Sequence, residues 1–107
     1  MLTGIRLREK VKPFAVRQTA LAHPIRLSIL YLLANSPMLM HEIAENVDYP
    51  ENLVSHHLSV LLKGGWIQKV KLGKTVTYSL RERVLFDFFR LFEGTALERN
   101  VIEKRLK

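Results

Sequence analysis

The sequence predicts a mainly α-helical fold carrying one two-stranded β-hairpin, on three observations. Apolar residues recur at helical spacing through most of the chain, and the period shortens to two only over residues 66–80. Pro24, Pro37, Pro50 and the pair Gly64 and Gly65 divide the helical stretches into short units. At 107 residues the chain has the size of one domain. That domain is expected to span 1–107, with a core over 13–92, a basic N-terminal arm over 1–12 and a C-terminal helix extension or tail over 93–107.

The first helix is expected from Pro13, which suits a first helical turn, to Leu21, with Phe14, Gln18 and Leu21 on one side. After the break at His23, a helix from Pro24 to about Asn35 is apolar nearly all round and reads as a central buried helix. Residues 39–47 form a brief amphipathic helix with Leu39, Ile43 and Val47 inward. Asp48 with Glu51 three residues on has the form of a capping box opening the next helix, about 50–63. On that helix Val54, His57, Leu58, Leu61 and Leu62 make one sector, and Asn52, Ser55, His56, Ser59 and Lys63 gather opposite. One face packs while the other presents hydrogen-bonding groups. Gly64 and Gly65 supply the left-handed stop. A hairpin follows, Trp66 to Lys71 and Thr75 to Leu80, with Lys69, Lys71 and Lys74 crowding its tip. The helical period then returns, with Val84, Leu85, Phe88, Leu91, Phe92 and Thr95 on one stripe and Phe86 and Phe89 outside it. The tail, with Leu97, Val101, Ile102 and Leu106 among charges, either continues the helix or frays.

Composition excludes several chemistries. With 48% apolar and 25% charged residues the chain is expected to fold. It has no cysteine, which removes disulfides, thiolate metal sites, thiol redox sensing and Cys nucleophiles. No apolar stretch approaches the roughly 18 residues of a membrane span, and the start lacks the apolar core of a secretion signal, so a cytoplasmic protein is expected. The net charge of +7 favours polyanionic partners, and it is segregated: +5 over residues 1–26, −4 over 27–62, +5 over 63–83 and +1 over 84–107.

A short helix, a helix-turn-helix and a hairpin with a basic tip make the winged helix-turn-helix arrangement. The run Ala20 to Leu30 (ALAHPIRLSIL) resembles the ALADPxRLxIL signature of ArsR/SmtB-type bacterial and archaeal repressors. Val54 to Leu58 (VSHHL) matches that family's VSHHL, and Gly73 to Leu80 (GKTVTYSL) looks like its wing GRxVYYSL. The three motifs stand in the family's order, and the resemblance covers roughly residues 13–92. It implies a homodimeric, sequence-specific double-stranded DNA-binding transcriptional repressor, with helix 50–63 in the major groove and wing 66–80 on the backbone.

Carried over residue by residue, the resemblance implies that Ser55 and His56 face the groove floor and that positions 51 and 52 also contact DNA. Asn52, Ser55, His56 and Ser59 share the polar face and offer short donors and acceptors, so these four are the expected base readers. Glu51 stands where the family commonly has Gln. It either accepts from a cytosine amine or caps its own helix, and the cap is the preferred reading. Lys63, Lys69, Lys71 and Lys74 suit phosphate. No Lys or Arg lies in residues 27–62, so no arginine inside the recognition helix reads guanine. A helix with four of the chain's five Phe in seven residues cannot bury all of them in its own small domain. Phe14, Leu21, Leu85, Phe86, Phe89 and Phe92 are the expected dimer interface.

The family's thiolate metal site falls on Leu39, Met40, His41, Glu42 and Ile43, and its C-terminal site on Glu82, Val84, Thr95 and Glu98. These positions retain one imidazole, His41, and no thiolate, so neither metal nor another cofactor is expected. The input is then an unidentified small-molecule effector, a protein effector, or expression level alone. His57 reads as a hydrogen-bonded, half-buried histidine on the flank of the packed face, His23 as an ordinary helix-start residue and Trp66 as packing at the wing's base. The alternative function is a winged-helix protein-protein interaction module without specific DNA binding. A membrane-surface role for the Phe-rich helix is opposed by Asp87 and Glu93, and no membrane partner is expected. No nucleophile has a base at motif spacing, so an enzyme is not expected.

Overall fold

The computed structural model describes residues 2–102. Five α-helices, α1 (Gly4–Thr19), α2 (Pro24–Leu33), α3 (Met40–Val47), α4 (Glu51–Lys63) and α5 (Glu82–Arg90), alternate with strands β1 (Met38–Leu39), β2 (Ile67–Leu72) and β3 (Thr75–Leu80). A π-helical turn, Glu98–Ile102, follows. The strands form one antiparallel sheet in the order β1-β3-β2. This is the mainly α, winged helix-turn-helix architecture, with one strand more than the hairpin expected from sequence. Met38 pairs with Tyr78 and Leu39 with Thr77, so the start of the segment expected as helix 39–47 instead pins the wing to the helical body.

Three further expectations are corrected. The first helix does not start at Pro13: α1 starts at Gly4, takes in most of the segment expected as a basic arm, and carries Pro13 in its interior. The carbonyl that Pro13 leaves unpaired, four residues back at Glu9, belongs to an exposed residue where water can satisfy it, and the surrounding Arg, Lys, Glu and Leu are good helix formers. Nor is α2 buried all round. Ile29, Leu30 and Leu33 are in the core, whereas Leu27 and Tyr31 are 55% and 74% exposed. Asp48 does not open α4. It ends α3 in the left-handed region at φ +55°, with the Tyr49 amide donating to the Ala44 carbonyl at 3.1 Å. Pro50 takes the N-cap of α4, and its carbonyl accepts from the amides of Leu53 and Val54.

The core gathers Ile29, Leu33, Ile43, Val54, Leu58, Leu61, Trp66, Ile67 and Val84 from α2, α3, α4, α5 and the base of the hairpin. At the end of α4 the chain reverses through Gly65 at φ +80°, where the Trp66 amide donates to the Leu61 carbonyl and that of Gly65 to Leu62. This turn drops Trp66 into the core, where it is 1% exposed and its indole Nε1–H donates to the Arg17 carbonyl at 2.7 Å. One partly buried hydrogen bond therefore ties the end of α1 to the base of the wing. At the other end of the hairpin Gly73, at φ +64°, opens a two-residue loop with Lys74 between the paired Leu72 and Thr75.

α1 has no buried residue, and Ile5 and Val16 are exposed. The radius of gyration is 16.3 Å, against about 13 Å for a compact chain of this size, because α1 and the C-terminal segment lie outside the core. The stripe expected to run to Thr95 stops at Arg90. The next three amides, Leu91, Phe92 and Glu93, bond to carbonyls three residues back, and Gly94 turns at φ +80°. Of the expected tail, residues 103–107, including Leu106, fall outside the described residues.

Trp66→Phe removes the indole hydrogen bond, leaves the Arg17 carbonyl with the Ala20 amide at 3.2 Å as its partner, and opens the space of the indole's second ring in the core. It is expected to cost about 2 kcal/mol, read as a lower urea midpoint at unchanged slope.

Candidate nucleic-acid interface

The two faces of α4 separate as its period requires. Val54, His57, Leu58 and Leu61 are buried, while Asn52, Ser55 and His56 are exposed and Ser59 is half-buried. The four expected base readers are thus brought onto one open face of a 13-residue helix about 20 Å long, a shape that a major groove about 12 Å wide admits. Lys63 is exposed one turn beyond Ser59. Lys69, Lys71 and Lys74 are exposed on the hairpin. The strand register puts Lys69 and Lys71 on the sheet face of Ile67, Tyr78 and Val76, leaving Val70 and Leu72 with Thr75 and Thr77 on the opposite face. Of the ion pairs among the described residues, Arg17–Asp87 at 3.9 Å joins α1 to α5 and Arg90–Glu93 at 3.3 Å lies at the end of α5. Among the described residues, therefore, the four lysines are not spent on internal acids.

The setting of α4 is held by a contact that sequence reasoning missed. His57 is the one buried polar side chain among the described residues. Arg26 of α2 donates through Nε to the Ala20 carbonyl at 2.6 Å, and its Nη1 lies 3.3 Å from Nδ1 of His57. A guanidinium has no acceptor, so Nδ1 of His57 is the acceptor and the neutral ring carries its proton on Nε2. The ring of His23 lies 4.4 Å away, and its own Nδ1 accepts the Ile25 amide at 3.1 Å, which makes His23 the N-cap of α2. His57 is thus more buried than expected, and His23 is a helix-start residue whose ring does the capping. A sequence signal existed in the three-residue spacing of His23 and Arg26, but nothing local linked them to position 57. Burial of His57, followed by the neighbouring His23, Arg26 and His56, holds its pKa below the ordinary 6.5.

Of the expected dimer interface, Phe86 and Phe89 are 63% and 40% exposed, and Phe14, Leu21, Leu85 and Phe92 are half-buried. Phe88, absent from the expected interface, is the joint between α1 and α5: its ring lies 6.5 Å from Phe14 and packs edge-on against Phe92 at 5.6 Å. Glu82, Leu85, Phe86 and Phe89 line an apolar hollow of about 330 Å³. His41 is exposed, and among the described residues no three His, Asp or Glu side chains converge as metal ligands would. No helix among them is long and apolar enough to cross a membrane.

A family model described as bacterial regulatory protein, arsR family, matches residues 23–69. The chain is 35% identical over 66 residues to the HTH-type transcriptional repressor SmtB of Mycobacterium tuberculosis, covering 62% of this chain and 49% of that protein. It is 35% identical over 68 residues to the transcriptional repressor SdpR of Bacillus subtilis, covering 64% of this chain and 76% of that one. The chain spans about half the length of SmtB. Among solved structures it is similar to the homodimeric winged helix-turn-helix DNA-binding domain of a possible ArsR-family regulator from Mycobacterium bovis. That match has a TM-score of 0.67 at 26% identity and covers 92% of this chain and 94% of that one. An ArsR-like regulator from a Rhodococcus species shares the fold with a TM-score of 0.73 at 21% identity, over 92% and 94% of the two chains.

The lowered pKa of His57 gives stability a pH dependence. Above 6.5, the ordinary value, His57 is neutral whether folded or not, and its contribution is fully present. As pH falls through the lowered folded pKa that contribution is lost, because the unfolded chain takes up the proton first. Urea midpoints measured between pH 7.5 and 5 should fall for the wild type and fall less for His57→Gln; equal slopes would contradict the assignment.

Proposed function

The chain belongs to the ArsR family of bacterial regulatory proteins, and we propose that within it the protein is a homodimeric, sequence-specific double-stranded DNA-binding transcriptional repressor. The observation that carries this reading is the open face of Asn52, Ser55, His56 and Ser59 on a helix whose other side is locked in the core, with unpaired lysines at its end and on the wing. The four side chains offer the short hydroxyl, amide and imidazole groups that reach base edges. Lys63, Lys69, Lys71 and Lys74 hold phosphates and set register and affinity. SmtB and SdpR are named as repressors, which supports the direction of the effect.

Two copies are required to place two recognition helices in successive major grooves about 34 Å apart. The homodimeric state of the Mycobacterium bovis domain supports this, as do an α1 with no buried residue and an α5 that leaves Phe86 and Phe89 in water. Phe14, Leu21, Leu85, Phe86, Phe89 and Phe92 are the proposed interface, buried isologously around a two-fold axis. In the winged-helix docking module that is the alternative function, the same α4 face would capture a protein partner without preference for duplex DNA.

Selection of bound sequences from random duplex DNA should enrich a near-palindrome; retention of an unpaired half-site by a monomer would contradict the dimeric reading. With about six phosphates neutralised, log K should fall against log salt with a slope of roughly −5, and a flat response would favour the docking module. Ser55→Ala and His56→Ala should relax sequence preference. Lys74→Ala should weaken all duplexes alike and reduce the slope by about 1. Phe86→Glu should yield monomers in sedimentation with their secondary structure intact.

A further inference from the structure

We propose that Glu51 is a specificity-determining residue that selects cytosine at one position in each half-site of the bound DNA, an inference that rests on the DNA-binding reading above. Glu51 is the first residue of α4, exposed, one turn before Ser55 and adjacent to Asn52, at the edge of the face that reads bases. Its sequence context suggests a capping box with Asp48, and the structure removes that role. Asp48 ends α3, Pro50 occupies the N-cap, and no side chain caps the start of α4. Among the described residues no hydrogen bond or ion pair engages the Glu51 carboxylate, and no Lys or Arg between residues 27 and 62 is available to neutralise it.

An uncommitted carboxylate on a surface that approaches a polyanion weakens binding to every duplex unless it meets a donor. The carboxylate of Glu51 is acceptor-only. In the major groove guanine presents two acceptors and thymine an acceptor beside a methyl group, so both repel it or leave it unpaired. Adenine offers its amine between its own N7 acceptor and thymine O4, whereas the cytosine amine has an acceptor on one side only, guanine O6 across the pair. Cytosine is therefore the matched base, and discrimination comes as much from rejecting the others as from the hydrogen bond formed. A glutamine in the same place carries both a donor and an acceptor and matches the adenine pair of N6 and N7.

The test is selection from random duplex DNA by the full chain as wild type, Glu51→Gln and Glu51→Ala. Because the side chain is exposed and unbonded, both variants should fold, with a melting temperature lowered by a few degrees at most through the loss of an acid from the first turn of α4. The wild type should hold cytosine at one position, equidistant from the dyad in both half-sites, with discrimination on the order of tenfold. Glu51→Gln should move that position alone to adenine. Glu51→Ala should lose preference there alone while binding random duplex more tightly than the wild type. The inference is overturned if both variants enrich the wild-type motif unchanged at every position, or if Glu51→Ala loses all binding with its fold intact. A wild type that enriches no motif overturns the DNA-binding reading itself, a distinct failure.

Discussion

Val54, Leu58 and Leu61 of α4 sit in the core at 0%, 1% and 0% exposure, and this anchoring sets the rotation of the helix about its axis. A slip of one residue would turn the helix by about 100° and exchange apolar for polar groups in the interior, so the setting is strongly specified. The outward face of Asn52, Ser55 and His56 then follows as a geometric consequence and needs no interaction of its own to hold it open. The contact of Arg26 with His57, next to His23, adds a polar lock from α2. Arg26 is itself held by the Ala20 carbonyl, so the start of α2 and the middle of α4 are fixed relative to each other.

That arrangement separates two tasks which a basic recognition helix would combine. α4 carries no cation before Lys63 and begins with an acid, whereas the lysines cluster at its end and on the hairpin. Long-range attraction therefore comes from elements that carry little sequence information, and discrimination comes from short side chains with little attraction of their own. Exposed acids at Glu45, Asp48 and Glu51 line the turn between α3 and α4 and limit the affinity of that region for arbitrary DNA. The wing has to be placed accurately for this division to work. β1 on one edge of β3 and the Trp66 indole on the Arg17 carbonyl both secure it.

Much of this was legible in the sequence where a period runs long enough to be unambiguous. The 13 residues of α4 and the alternation of Val76, Tyr78 and Leu80 are such cases, and so is the Gly65 stop. The losses have physical causes. Met38 and Leu39 are too few residues to show a strand period. Pro13 suits a helix start but is tolerated inside α1, because the carbonyl it leaves unpaired, at Glu9, is on an exposed residue open to solvent. An Asp followed by Glu at the third position is consistent with a helix beginning, yet Asp also tolerates the left-handed turn that ends one. In an apolar α2 no pattern tells which side stays outside, hence Leu27 and Tyr31. The Arg26 and His57 contact joins residues 31 apart and could not be read from any local window.

The central claim is that the outward face of α4 enters the groove while its inner face never leaves the core. Amide chemical-shift perturbation of the labelled protein, titrated with its selected duplex, tests this residue by residue. The account predicts the largest changes at Asn52, Ser55, His56 and Ser59 and along residues 69–75, with Val54, Leu58 and Leu61 little moved. Changes concentrated on α1 or α5, with residues 52–59 unperturbed, would contradict it.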